Sequence, residues 1–285
     1  MRTADMSGLA RCVLVALMVA TIGCARKPQM RGEGVEVQAA QTYLDGLVAL
    51  QSGDYSEALR HFQTVATSPR YLRFTSLAAL RAADTLFYQG FYPQAIDAYR
   101  GFLKQFAGNP NVPYAEARIV LAHYRRIPGD WFFMPPAYER ELTSVRSAYE
   151  AAERFLARYP RHRFAPQVRE VRDFCADRLF GHEMYAARFY EKRKKPRGVA
   201  LRLEAAMQRF PKRAKTEENL FRLARAYSRS EDREGLESAL DRYLAVVPDG
   251  RRRQRIENWL AELPAVEKQE QESVIEGLDW QGIAE

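Results

Sequence analysis

The chain has 285 residues, with 44 Lys and Arg against 36 Asp and Glu for a formal net charge of +8, and only three cysteines. Its apolar content is ample for one continuous core. No internal span is long enough to cross a bilayer, which takes about 20 apolar residues, and the cysteines are too few and too scattered for a disulfide scaffold.

At the amino terminus Arg2 and Arg11 precede an apolar run, Cys12 to Ile22, that closes on Thr21-Ile22-Gly23-Cys24. The run is too short to span a membrane and suits a secretory h-region. A small residue directly before a cysteine resembles a lipobox, with Thr21 standing where a large aliphatic residue is usual. Residues 1–23 therefore read as a lipoprotein signal peptide and Cys24 as the lipidated first residue of the mature chain, carrying S-diacylglycerol and N-acyl groups as its only non-protein component. Residues 24–38 read as a flexible linker. Two or three acyl chains hold a protein stably on a membrane where one does not. With Cys12 removed and Cys24 acylated, Cys175 is left alone on an apolar stretch, where packing is its expected role.

Further on, Gly53-Asp54-Tyr55-Ser56-Glu57-Ala58 and Gly90-Phe91-Tyr92-Pro93-Gln94-Ala95 are one phrase written twice, 37 residues apart. In each copy bulky residues follow the alanine at four and seven positions: Phe62 and Val65 after Ala58, Tyr99 and Phe102 after Ala95. Gly46 lies twelve positions before Ala58. Small residues at such points let helices approach closely while aromatics fill the space towards the next unit, the signature of tetratricopeptide repeats of about 34 residues. Weaker copies include Ala148, Ala152 and Phe155, then Ala200 and Met207, then Leu236 and Tyr243, and prolines recur after helices at Pro69, Pro160, Pro211 and Pro248. The expected fold is all-α, a right-handed solenoid of about five helical hairpins near 39–70, 76–107, 114–160, 180–211 and 216–248, within 39–264. Arg251 to Leu260 suggests a further helix capping the last apolar face.

Between the second and third repeats runs an apolar, proline-bearing loop, Ile127 to Pro136, in which Trp131, Phe132 and Phe133 either tuck into the repeat surface or form an exposed contact patch for substrate. The next long segment is basic: Arg188 to Arg233 holds fifteen Lys and Arg against six Asp and Glu. That charge fits nucleic acid, an anionic lipid surface or an acidic protein, and export of the chain removes nucleic acid. After 264 the chain is acidic and rich in Gln and Glu, with six acids against Lys268 alone from Glu267 to Glu285. Residues 265–285 read as a disordered tail whose end, Ile275 to Trp280, could serve as a docking motif.

Catalytic motifs are wanting. The four histidines are dispersed, and His182-Glu183 begins a zinc-protease pattern but lacks the second histidine. There is no Gly-rich phosphate loop and no Gly-x-Ser-x-Gly elbow. The expectation is a scaffold without metal or catalytic residues.

Several phrases exceed generic repeat chemistry: Gly90 to Tyr114 with Asn109-Pro110-Asn111-Val112, then Arg158-Tyr159-Pro160 with Phe164-Ala165, and above all His182-Glu183 followed by Ala186, Phe189-Tyr190 and Arg193. Over Cys24 to about Pro248 the chain resembles the BamD family, the lipoproteins of the outer-membrane β-barrel assembly machine. The resemblance implies a non-enzymatic scaffold on the periplasmic face of the outer membrane. It would bind the POTRA domains of the barrel-forming subunit through its carboxy-terminal repeats, sit among other assembly lipoproteins and receive nascent outer-membrane proteins. It places Arg202, in Arg202-Leu203-Glu204, as the contact to an acidic POTRA residue, with Glu204, Arg193 and Tyr190 beside it. Against it stand another tetratricopeptide lipoprotein of the envelope, such as a pilotin-like factor or a secretion or cell-envelope coordinator, and an envelope enzyme with a helical accessory domain.

Overall fold

The computed structural model describes residues 31–68, 72–129 and 142–264. The signal peptide, Cys24, the Trp131, Phe132 and Phe133 loop and the acidic tail lie outside the described residues. Among those described, every regular element is helical, and they divide into two units between Ala107 and Gly108.

The first unit contains α1 (Arg31–Ser52), α2 (Tyr55–Thr67), α3 (Leu72–Tyr88) and α4 (Tyr92–Gln105), each packed on the next. Ala58, Phe62 and Val65 form the buried stripe of α2, and Ala95, Ile96, Tyr99 and Phe102 that of α4. Three- and four-residue spacing puts each set on one face. Gly46 is the contact point between α1 and α2: a Cβ there would lie 2.8 Å from Phe62, so any larger residue would push the helices apart. Asp84 of α3 is buried, accepting hydrogen bonds from the Tyr99 hydroxyl at 2.5 Å and from Arg81 Nη1 at 2.7 Å. A buried carboxylate with these partners fixes the register of α4 on α3.

The repeated phrase has a structural meaning. Gly53 and Gly90 adopt φ of +81° and +85°. In each case the glycine N–H donates to the carbonyl three residues back and the following N–H to the carbonyl five back: Gly53 to Leu50 and Asp54 to Ala49, then Gly90 to Phe87 and Phe91 to Leu86. This is the Schellman arrangement, which satisfies the carbonyls a helix end would otherwise leave unpaired. The Asp54 side chain then accepts from Glu57 N–H at 3.1 Å and starts α2.

The second unit contains α5 (Val112–Arg125), α6 (Thr143–Arg158), α7 (Ala165–Lys192), α8 (Pro196–Arg209), the single turn α9 (Pro211–Ala214), α10 (Glu217–Arg229), α11 (Arg233–Val246) and α12 (Arg253–Glu262). The repeat expected to open near 180 has no boundary there: α7 runs unbroken for 28 residues from Ala165. Its first half buries Val168, Val171, Cys175 and Leu179 with Val145, Ala148, Ala152 and Phe155 of α6. Its second half joins Met184 and Ala187 to the core formed by Leu203 of α8, Leu220 and Leu223 of α10, and Leu236 and Tyr243 of α11. The Cys175 thiol has no exposed surface, and burial pushes its pKa up to about 12. Helix α12 closes the end: Ile256 is buried and Trp259 stacks on Phe221 with ring centroids 5.3 Å apart.

Two turns of this unit repeat the Schellman bonds without glycine. Lys194 and Glu231 take φ of +54° and +59°. Lys194 N–H donates to Glu191 and Lys195 N–H to Tyr190; Glu231 N–H donates to Ser228 and Asp232 N–H to Tyr227. Lys194 and Glu231 are again 37 residues apart. Four residues before each lies a tyrosine and four after it a glycine, Tyr190 with Gly198 and Tyr227 with Gly235. A Cβ on Gly198 would meet the Tyr190 ring at 2.8 Å, and one on Gly235 the Tyr227 ring at 2.5 Å. These hairpins are closed by a ring lying on a glycine.

Candidate partner-binding surface

The four residues singled out for partner binding lie on the α7–α8 hairpin of the second unit, and they separate into different environments. Tyr190 is held by its place on Gly198. Beside it, Gly198, Leu201 and Arg202 line a shallow hollow of about 150 Å3. Leu201 is 70% exposed, the most exposed large apolar side chain among the described residues of this unit. The Arg202 side chain is 42% exposed and reaches back to Glu183 of α7, with Nη1 donating to Oε2 at 3.3 Å. Glu183 is itself buried, so it steadies a guanidinium that stays part-exposed. Arg193 lies over the Phe189 ring, its guanidinium carbon 4.2 Å from the centroid, and Phe189 is 40% exposed. Arginine and tyrosine are the residue types enriched at binding hot spots, and the exposed leucine adds apolar surface beside them.

Glu204 faces elsewhere. Its carboxylate accepts two hydrogen bonds from Arg242 of α11, at 2.8 and 2.5 Å, and one from the Tyr227 hydroxyl at 2.9 Å. These hydrogen bonds, Arg242 first, hold its pKa below the usual carboxylate value against the opposing effect of burial. Burial and the bond to Glu204 push the Tyr227 phenol up to about 12. Residues two apart on a helix do not share a face. Arg202 and Glu204 accordingly diverge, the first towards solvent and the second into a brace between α8, α10 and α11. Leu201 and Glu183 were not legible as site residues, because exposure of a leucine and the pairing of a glutamate nineteen positions away are properties of packing.

The residues proposed for the repeat core occupy helix joints and interiors. Ala58, Phe62, Ala95, Tyr99, Ala148 and Phe155 have no exposed surface and Phe102 has 2%. Tyr55 and Tyr92 open α2 and α4, with the Tyr92 ring edge-on to Phe87 at 5.3 Å. Gly53 and Gly90 sit at the turns. Among the described residues no group of His, Cys, Asp and Glu is arranged to hold a metal ion, and no helix is long and apolar enough to cross a membrane.

The family model described as YfiO, outer membrane lipoprotein, matches residues 35–247. The chain belongs to that family. The outer membrane protein assembly factor BamD of Haemophilus influenzae is 29% identical over 224 residues, covering 76% of this chain and 82% of that protein. BamD of Caulobacter vibrioides is 28% identical over 216 residues, covering 75% and 68%. Among solved structures, the TPR2AB-domain:pHSP90-complex of yeast Sti1 aligns over 80% of this chain and 98% of that one, at TM-score 0.38 and 12% identity. The matched span of the YfiO model contains the whole α7–α8 hairpin. Both BamD relatives are outer membrane protein assembly factors by name, and the chain is a member of a family described as outer membrane lipoproteins.

Proposed function

We propose that the chain is a scaffold for outer membrane protein assembly, tethered by a lipid on Cys24 to the periplasmic face of the outer membrane. It binds the POTRA domains of the barrel-forming subunit through the surface made by Tyr190, Leu201 and Arg202. Membership of the YfiO family and similarity to the BamD assembly factors support the assembly role. The observation that carries the contact is the pairing of a half-exposed Arg202 with a strongly exposed Leu201 on one helix. Such a surface gains from burial of the leucine and from a charge-assisted bond between the free edge of the guanidinium and a partner carboxylate. Glu204 acts as the brace that sets the angle of α8, and Arg193 on Phe189 extends the surface. Nascent outer-membrane proteins are received elsewhere on the chain, with the Trp131, Phe132 and Phe133 loop as the candidate, and other assembly lipoproteins complete the complex. Its mechanism is binding, with no cofactor beyond the lipid.

The test is a mild-detergent pull-down of the membrane-anchored protein with mass-spectrometric identification, comparing wild type with Arg202→Glu and Leu201→Asp. The expected result is a POTRA-bearing barrel protein recovered by wild type and lost by both variants, at unchanged thermal stability. Recovery of a secretin or pilus component without any POTRA protein overturns the assembly reading. Replacing Cys24 with Ala and fractionating the membranes tests the anchor: the protein should leave the outer-membrane fraction.

A further inference from the structure

A second feature of the same unit lies on α7, α8 and α10. The turn after α7 and the outer face of α10 enclose a cleft of about 380 Å3 bordered by Lys194, Lys195, Arg222, Arg225 and Arg229, with Glu191 as its one acid. Five cations against one carboxylate give the cleft a strong positive field, and low-dielectric walls focus it. The cleft already shows what it recognises. Oε1 of Glu191 accepts from Arg222 Nε at 3.0 Å and from Arg225 Nη2 at 3.4 Å, so two guanidiniums converge on a single carboxylate oxygen.

The arrangement is incomplete. Arg222 is 13% exposed, its Nη1 donates to Asn219 Oδ1 at 3.3 Å, and its Nη2 is buried with no hydrogen-bond partner. A buried donor of a charged group left unmatched is costly; the atom itself is shielded from solvent, so what the cleft presents is the charge of Arg222 rather than this donor. Lys194 adds a second anomaly. It occupies the left-handed turn position that Gly53 and Gly90 fill in the first unit, a conformation that costs a side chain more than glycine. Strain of this kind gathers at binding sites, and here it places a cation at the mouth of the cleft where glycine would place none.

The chain holds a matching segment. Residues 265–285 carry six acids against one lysine. They leave the described structure at Pro264, whose carbonyl accepts from Arg233 Nη1 at 3.4 Å, alongside the Leu263 carbonyl at 2.7 Å. Arg233 follows Arg229 by one turn of chain around Glu231, so the exit point is at the end of the unit where Arg229 borders the cleft. Extended, 21 residues reach about 70 Å, far more than this approach requires.

We propose that the basic cleft is a binding site for a carboxylate-rich peptide segment and that its occupant is the chain's own 265–285. The carboxylates of that segment pair with Lys194, Lys195 and Arg229 and meet the positive charge that Arg222 and Arg225 add to the cleft. The site is distinct from the Arg202 surface and does not rest on the assembly reading.

The experiment is fluorescence anisotropy with a labelled 265–285 peptide, using full-length chains in detergent. One chain is wild type. The other carries Glu267→Gln, Glu270→Gln, Glu272→Gln and Glu276→Gln, which neutralises four of the six tail acids and weakens the hold of the chain's own tail on the cleft. The neutralised chain should bind the peptide at least roughly tenfold more tightly than wild type, with affinity falling steeply as salt is raised. Adding Lys194→Glu, Lys195→Glu and Arg229→Glu should abolish that binding at an unchanged melting temperature. Equal binding by wild-type and neutralised chains would show that the cleft serves a segment supplied by another molecule and would overturn the assignment to the tail. Binding untouched by the charge reversal, or no binding at all, would overturn the site.

Discussion

The α1–α2 and α3–α4 hairpins of the first unit and the α7–α8 and α10–α11 hairpins of the second use the same backbone solution with opposite side-chain choices. In all four, a residue in the left-handed region closes a Schellman turn. The first unit uses Gly53 and Gly90, for which that conformation is free of steric cost. The second uses Lys194 and Glu231, and moves its essential glycines four residues onward, to Gly198 and Gly235, where tyrosine rings lie on them. The positions corresponding to those glycines in the first unit are Glu57 and Gln94, which lie on helix surfaces. At these turns the first unit therefore uses glycine for dihedral freedom and the second uses it for close approach.

The largest effect should come from the close approach. Gly235→Ala places a methyl group 2.5 Å from the Tyr227 ring, which must shift from its bond to Glu204, so a loss of about 1–3 kcal/mol is expected. Gln94→Ala at the equivalent place in the first unit should fall within about 0.5 kcal/mol of wild type. Urea unfolding followed by circular dichroism separates the two. Equal losses would show that the correspondence between the hairpins is superficial.

Next come the left-handed positions. Gly53→Ala and Gly90→Ala should each destabilise by about 1 kcal/mol, since neither site has any neighbour within 4 Å of a new Cβ and the cost is conformational alone. Lys194→Gly and Glu231→Gly should go the other way, stabilising by about 0.5–1 kcal/mol. The pair also divides structure from function: Glu231→Gly should leave peptide binding to the basic cleft unchanged, and Lys194→Gly should weaken it. Two stabilised variants that both bind as wild type would leave Lys194 with only its cost.

The same contrast explains what the sequence could show. Gly53 and Gly90 were legible because a glycine shortly before a helical stripe is the ordinary mark of a left-handed turn. Lys194 and Glu231 carry no such mark, since neither residue type favours positive φ, and the repeats they close were found only through alanine spacing and terminal prolines. The start of α7 was missed for a related reason. Gly181 lies inside the helix, where packing of Leu179 and Met184 on either side holds a residue of poor helix propensity. Tyr190, Arg202 and Glu204 were grouped through a resemblance. The carboxylate of Glu204 turns instead to Arg242 and Tyr227, because adjacency in sequence says nothing of which helix a side chain will reach. The family to which the chain belongs was thus readable in recurring phrases, while the division of its charged residues between brace and surface required the packing.

The smallest predicted effect concerns that brace. Glu204 has its folded-state pKa depressed, chiefly by the hydrogen bonds from Arg242, so its contribution is present above the ordinary carboxylate pKa and is lost as pH falls through the depressed value. The carboxylate is 36% exposed, and solvent screening keeps the contribution under about 1 kcal/mol. Wild type should therefore lose stability below about pH 4.3 more steeply than Glu204→Gln, which has no proton to gain there, and the two curves should converge in acid. Since Arg202 does not touch this brace, Arg202→Glu should keep the wild-type pH slope while Glu204→Gln removes it. A slope lost in Arg202→Glu as well would mean that the two residues act as one network, and that the exposed arginine is a structural element of α8 before it is a contact for a partner.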